Sequence, residues 1–172
     1  MEYIDILTET GKRTGVVLTR DEVHQKGMWH QCVIVAVVDG NRVLMQQRSK
    51  TRKKYPNLWD ISVAAHIVSG ENSLDGAIRE LKEEIGLSAK KEELQFISSF
   101  KNTHRYEKEL IENVFYDLFL LKKSIDLKDL NFVDGEVQNI KWMDKQMIKN
   151  LQAKNMLHPR TEWIDILNSY VK

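Results

Sequence analysis

Cysteine occurs once in the 172 residues, at Cys32. A lone thiol excludes an internal disulfide framework and suits a reducing compartment, so a cytoplasmic setting is the expectation. Proline occurs twice and glycine eight times, too sparsely to cut the chain into several domains or to build a flexible linker. No apolar run approaches the ~20 residues that a membrane-spanning helix requires. The start of the chain, Met1-Glu2-Tyr3-Ile4-Asp5, also lacks the basic and apolar regions of a secretory signal. No membrane association is therefore expected. Neither sign of charge dominates: 26 Lys and Arg stand against 25 Asp and Glu, for a net +1. No global field points to nucleic acid or to an acidic surface as a partner. Internal repeats and low-complexity tracts are missing too. What is present is 42% hydrophobic residues, enough for the core of one ordinary domain spanning residues 1–172.

Residues 2–8 and 14–18 read as a short N-terminal hairpin, within an extension of residues 1–29 packed on the main body. Asp21 to Lys26 is polar, a turn or a short helix. Gln31 to Val38 is a buried strand that carries Cys32 into the core, and Asp39-Gly40-Asn41 turns it into a partner from Arg42 to Gln47. Lys50 to Lys54 is a basic loop closed by Tyr55-Pro56-Asn57-Leu58-Trp59. Glu93 to Ser99, Ile111 to Leu121 and Ile140 to Met143 read as further strands. Asp144 caps a helix running to Ala153, and Thr161 to Tyr170 reads as a terminal helix with Trp163, Ile166, Leu167 and Tyr170 inward. Strands with helices between and after them indicate an α/β fold with a mixed sheet covered on both faces.

The chemistry concentrates between Ala65 and Leu87. Leu74, Ile78, Leu81 and Ile85 recur at the spacing of one apolar helix stripe. Ser73 is the expected N-cap and Gly86 the expected residue just past the helix end. Glu80, Glu83 and Glu84 stand at i, i+3 and i+4 on another face. Three like charges that close repel, at roughly a few tenths of a kcal/mol per pair. A hard divalent cation with oxygen ligands reverses that penalty.

The full pattern resembles the box of the Nudix hydrolase family: Gly, five residues, Glu, seven residues, Arg-Glu-aliphatic, one residue, Glu-Glu, one residue, Gly-aliphatic. It runs here from Ala65 through Glu71 to Arg79-Glu80-Leu81-Lys82-Glu83-Glu84-Ile85-Gly86-Leu87, and only the first position departs, with Ala65 for Gly. The resemblance implies a Nudix-type α/β/α sandwich and a pyrophosphohydrolase that uses Mg²⁺ or Mn²⁺ on a small-molecule phosphoanhydride, such as a nucleoside diphosphate derivative. It implies that Glu80, Glu83 and Glu84 bind metal, with Glu71 in a structural role or as a secondary metal contact and Arg79 orienting the glutamates. A glutamate from outside the box often assists in this family. Glu107, Glu109 and Glu112 are the candidates here, with Glu136 a weaker one.

Flanking residues are similar to one branch. Trp59-Asp60-Ile61-Ser62-Val63-Ala64-Ala65-His66 resembles the Trp…Ser-Val-Cys-Gly-His stretch of isopentenyl-diphosphate isomerase, which shares the Nudix fold. Arg48 and the Arg52-Lys53 pair fall where that enzyme places diphosphate-binding residues, and His30 and His66 where it places metal histidines. His30 is read equally as a loop residue, and His24 as a surface one. Ala64 takes the place of the isomerase's catalytic cysteine, and an acid–base pair cannot be completed by a methyl group. The expectation is a hydrolase of the isomerase-like branch; isomerase activity and a non-catalytic nucleotide-binding module are the alternatives. Trp29 and Trp59 are open between stacking on a base and filling the core. No nucleic-acid partner is expected. The oligomeric state stays open, a homodimer included.

Overall fold

The computed structural model describes residues 2–105, 111–132 and 135–171. Its centre is β3 (His30–Asp39), in which Val33 through Ala36 are wholly inaccessible. The run is continuously apolar because the strand is covered on both faces. Cys32, Ile34, Ala36 and Val38 face one core and Val33, Val35 and Val37 the other, as the period of two requires. Gly40, in the left-handed region at φ 59°, turns β3 into β4 (Arg42–Arg48) as an antiparallel hairpin. Beyond β4 lies β5 (Trp59–Ile61), and β6 (Val63–His66) pairs antiparallel with β3.

The helix α2 (Ser73–Ile85) follows, then β7 (Leu94–Arg105), β8 (Ile111–Lys122) and β9 (Val137–Asp144). Strand β8 runs parallel to β3 from His30↔Val114 to Val38↔Lys122, β7 pairs antiparallel with β8, and β9 with β4. The sheet has seven strands, with the path β5-β4-β3-β8-β7 and with β6 and β9 attached to β3 and β4.

One face is covered by α2 through Ala77, Leu81 and Ile85. The other is covered by α3 (Lys145–Ala153) and α4 (Glu162–Leu167) through Ile148, Trp163 and Leu167. This is the expected α/β/α sandwich. In front of it, β1 (Tyr3–Leu7) and β2 (Arg13–Thr19) form a separate antiparallel hairpin that leads into α1 (Arg20–Lys26). Thr19 and Glu22 cap α1 reciprocally, and Ile4, Ile6 and Val23 make a small apolar cluster of their own.

Several boundaries differ from the sequence reading, β9 among them, which begins at Val137 and not at Ile140. The N-cap of α2 is Asn72, whose side-chain oxygen accepts from the Asp75 N–H at 3.0 Å, while Ser73 is already helical. Strand β7 runs on to Arg105 because β8 pairs with it to that point. Helix α4 stops at Leu167, and the chain tightens into a turn with the Tyr170 N–H on the Leu167 carbonyl at 2.8 Å. No helix among the described residues is long and apolar enough to cross a membrane.

Candidate active site

The helix α2 presents Glu80, Glu83 and Glu84 to one cleft of about 210 Å³. Glu80 and Glu84 are buried, at 8% and 5% exposure, whereas the Glu83 side chain is 57% exposed. Burial pushes the Glu80 carboxyl up to about 7 against the pull of Arg79. Burial and the neighbouring Glu80 push Glu84 well above the carboxylate range, although the Gln46 amide donates to it at 2.8 Å. Two buried carboxyls that favour the neutral acid are the donor set a divalent cation stabilises as anions.

Arg79 organises these groups. Its Nε and Nη2 donate to the two oxygens of Glu71 at 3.0 and 2.9 Å, the bidentate geometry of a strong charge-assisted pair. Its Nη1 donates to Glu80, and to Glu83 at 3.0 Å. Glu71 is thus committed to Arg79 and does not line the cleft, a placement that accords with the structural one of its two expected roles. Gly76 permits the close approach: a Cβ there would meet Ile67 Cδ1 at 2.6 Å and Glu71 Oε2 at 3.1 Å. Ala65 lies in β6 opposite Val33. It is not among the residues with positive φ, so the glycine of the box pattern is not needed for backbone freedom.

A second donor cluster adjoins the first. His24 of α1, His30 of β3, His66 of β6 and Glu112 of β8 place one ligand atom each within 4.8 Å of one another. The sheet register explains the meeting: His66 lies opposite Cys32, two residues from His30, and His30 lies opposite Val114, two residues from Glu112. His24 Nδ1, His30 Nε2 and His66 Nε2 are buried without a hydrogen-bond partner. The other nitrogen of His30 is oriented by the Met28 carbonyl at 3.0 Å. Burial holds all three rings neutral, His24 down to about 4 and His66 well below the usual histidine value. Neutral imidazoles with orphaned nitrogens beside a carboxylate fit a divalent transition metal such as Mn²⁺. His24, expected on the surface, is part of the cluster. Of the three candidate glutamates outside the box, Glu112 is the one described here; Glu107 and Glu109 lie outside the described residues.

Arg48 lines the cleft as expected, but part of its guanidinium is engaged at home. It donates to the carbonyls of Tyr55 and Lys54 at 3.2 and 3.0 Å and shapes the basic loop. Arg52 is paired with Glu136, and Lys53 is exposed and does not line the cleft. The cations there besides Arg48 are Arg20, Lys54 and Arg160, none singled out by the sequence. Arg160 is buried with Asp60 at 2.7 Å and lies over the Tyr116 ring at 5.2 Å. Its partner is 100 residues away in the chain, so no local pattern signals the pair. Trp59 is core and Trp29 packs on Phe115 at 5.0 Å; neither lines the cleft, whereas Tyr55 and Tyr116 do. Ala64 and the buried Cys32 line it too.

A family model described as the NUDIX domain matches residues 28–164. The chain belongs to the Nudix family. Among curated Nudix relatives, Nudix hydrolase 3 of Arabidopsis thaliana is 34% identical over 158 residues, covering 89% of this chain and 20% of that protein. This chain therefore spans about a fifth of that relative's length. An isopentenyl-diphosphate Delta-isomerase of Dinoroseobacter shibae is 30% identical over 149 residues, covering 84% of this chain and 80% of that one. A crystal structure from Deinococcus radiodurans superposes with a TM-score of 0.75 at 16% identity, covering 98% of this chain and 99% of that one. It bears on the Nudix fold alone.

Proposed function

We propose that this Nudix protein is a hydrolase dependent on Mg²⁺ or Mn²⁺ that cleaves a diphosphate linkage by attack of water on phosphorus, with a nucleoside diphosphate derivative as the expected substrate class. The observation that carries this reading is the sharing of one cleft by Glu80, Glu83 and Glu84 with Arg20, Arg48 and Lys54. Glu80, Glu83 and Glu84 would hold the divalent cation, which would supply masking of the phosphate charge and acidification of a water. Arg79 aims the carboxylates. Glu80, which borders the cleft with the other two glutamates, would orient the attacking water and take up its proton. Arg20, Arg48 and Lys54 hold the non-bridging phosphate oxygens, and the Tyr55 ring offers an apolar face to the organic group. The test is turnover of a panel of nucleoside di- and triphosphates, dinucleotides and sugar nucleotides, with Mg²⁺ or Mn²⁺ and with chelator. Metal-dependent turnover of a member is expected; its absence across the panel would overturn the reading.

A second reading, isomerisation of isopentenyl diphosphate, is favoured by the Cys32 thiol in the same cleft and by isomerase-named relatives. Ala64 opposes it, since the position that would carry the acid faces the cleft with a methyl group, and burial pushes the Cys32 thiol well up. Deuterium incorporation into that substrate in heavy water, without phosphate release, would establish the isomerase instead.

A further inference from the structure

The family match begins at residue 28, yet the hairpin ahead of it grips the loop that carries Glu71. The Ser69 N–H donates to the Tyr3 carbonyl at 2.7 Å. The Ser69 hydroxyl and the Gly70 N–H donate to the two oxygens of Asp5, at 2.6 and 3.2 Å. Arg13 pairs with Asp5 at 3.1 Å and donates to the Glu71 carbonyl at 2.9 Å. Gly70 sits at φ 84°, so the turn is sharp, and Asp5 satisfies its polar groups as a capping side chain would. From this turn the chain of contacts runs through Glu71 to Arg79 and on to Glu80 and Glu83.

We propose that Asp5 is a positioning residue for the glutamate site, so that the N-terminal hairpin is a working part of that site. The inference rests on the metal-dependent reading of Glu80, Glu83 and Glu84. The loop between β6 and α2 has one buried apolar anchor, Ile67 at 5% exposure, and Ser69 and Gly70 are otherwise polar and mobile by composition. Without Asp5 the loop loses two of its holds on the hairpin, those of the Ser69 hydroxyl and the Gly70 N–H, and Arg13 loses the partner that steadies it beside the Glu71 carbonyl, so Glu71 is held less squarely against Arg79. The freed guanidinium then turns its charge onto Glu80 and Glu83, in direct competition with a cation. The consequence is weaker metal binding, not merely a less stable fold. The same N-terminal unit also delivers Arg20 and His24 into the cleft, so its docking bears on both donor clusters.

The test is a Mn²⁺ titration of the full chain by electron paramagnetic resonance, following the class of sites that Glu83→Gln abolishes, with thermal melting alongside. Asp5→Ala is expected to weaken that class about tenfold, as loss of outer partners does at metal centres. Ser69→Ala is expected to weaken it about threefold, for one hydrogen bond, and to add nothing in the Asp5→Ala background. Thr14→Val removes a hydrogen bond to the Ile6 carbonyl inside the hairpin and serves as the structural control; it should lower the melting temperature and leave Mn²⁺ affinity unchanged. Unchanged affinity in both Asp5→Ala and Ser69→Ala would overturn the proposal alone. A wild-type protein with no Glu83-dependent Mn²⁺ site would overturn it together with the metal-hydrolase reading.

Discussion

Glu80 and Glu84 gain their importance from being carboxyls with little access to water. A group that keeps its proton up to about pH 7, as Glu80 does, must release that proton to accept a cation. Metal affinity should therefore fall as pH drops from 8 to 6, by up to about tenfold per unit below 7 for one competing proton. Calorimetric titration with Mn²⁺ at three pH values checks this; a flat profile would show that the glutamates do not ligate. Glu83 is exposed, which makes it the cleanest probe of chemistry apart from folding. Glu83→Gln should reduce turnover by about 10- to 100-fold with an unchanged far-ultraviolet circular dichroism spectrum. Asp60 and Arg160 act on stability instead. Asp60→Asn leaves the Arg160 cation buried without its 2.7 Å partner, and urea denaturation should register a loss of about 3–5 kcal/mol.

Helix α2 is the element on which the site is built, and its ends decide how it is held. Gly86 closes it at φ 71°, and a Cβ there would meet the Asn131 carbonyl oxygen at 2.5 Å and its nitrogen at 2.7 Å. Gly86→Ala combines left-handed strain with a backbone collision, so urea denaturation should register a loss of more than about 1 kcal/mol of unfolding free energy. This helix was legible in the sequence because its apolar stripe, its glutamates and its terminal glycine are all local signals. The hairpin across Gly40 was legible for the same reason. The histidine cluster was only half legible: His30 and His66 came from a family resemblance, whereas Glu112 joins them through the β3–β8 register and His24 through the docking of α1, neither of which a local pattern encodes. The basic loop shows the same limit. Its charges were visible, but the loop takes positive φ at Tyr55 and Asn57, an irregular path that no local pattern encodes, and of its two adjacent lysines Lys54 lines the cleft and Lys53 does not.

At the scale of the whole molecule, the fold brings two sets of candidate metal donors side by side: carboxylates from α2 in the cleft, and a cluster of His24, His30, His66 and Glu112 from α1, β3, β6 and β8, of which His24, His66 and Glu112 line the same cleft. The family's fold was predictable from the box. The joint architecture was not, because it depends on the parallel pairing of β3 with β8 and on the N-terminal unit outside the family match. Cations from α1 and the basic loop, Arg20, Arg48 and Lys54, face the same space, which is the basis for proposing a charged diphosphate as the ligand. Ala64 is the residue on which the proposed hydrolase reading is preferred to the isomerase one, since it lines the cleft with a methyl group where the resemblance would place a proton donor. The most direct measurement is turnover of the best panel substrate in ¹⁸O-water with Mn²⁺, read by mass spectrometry. Water attack on phosphorus predicts one ¹⁸O in a phosphoryl product and none in the organic fragment. Label found only on carbon, or a product isomeric with the substrate and free of label, would contradict the account.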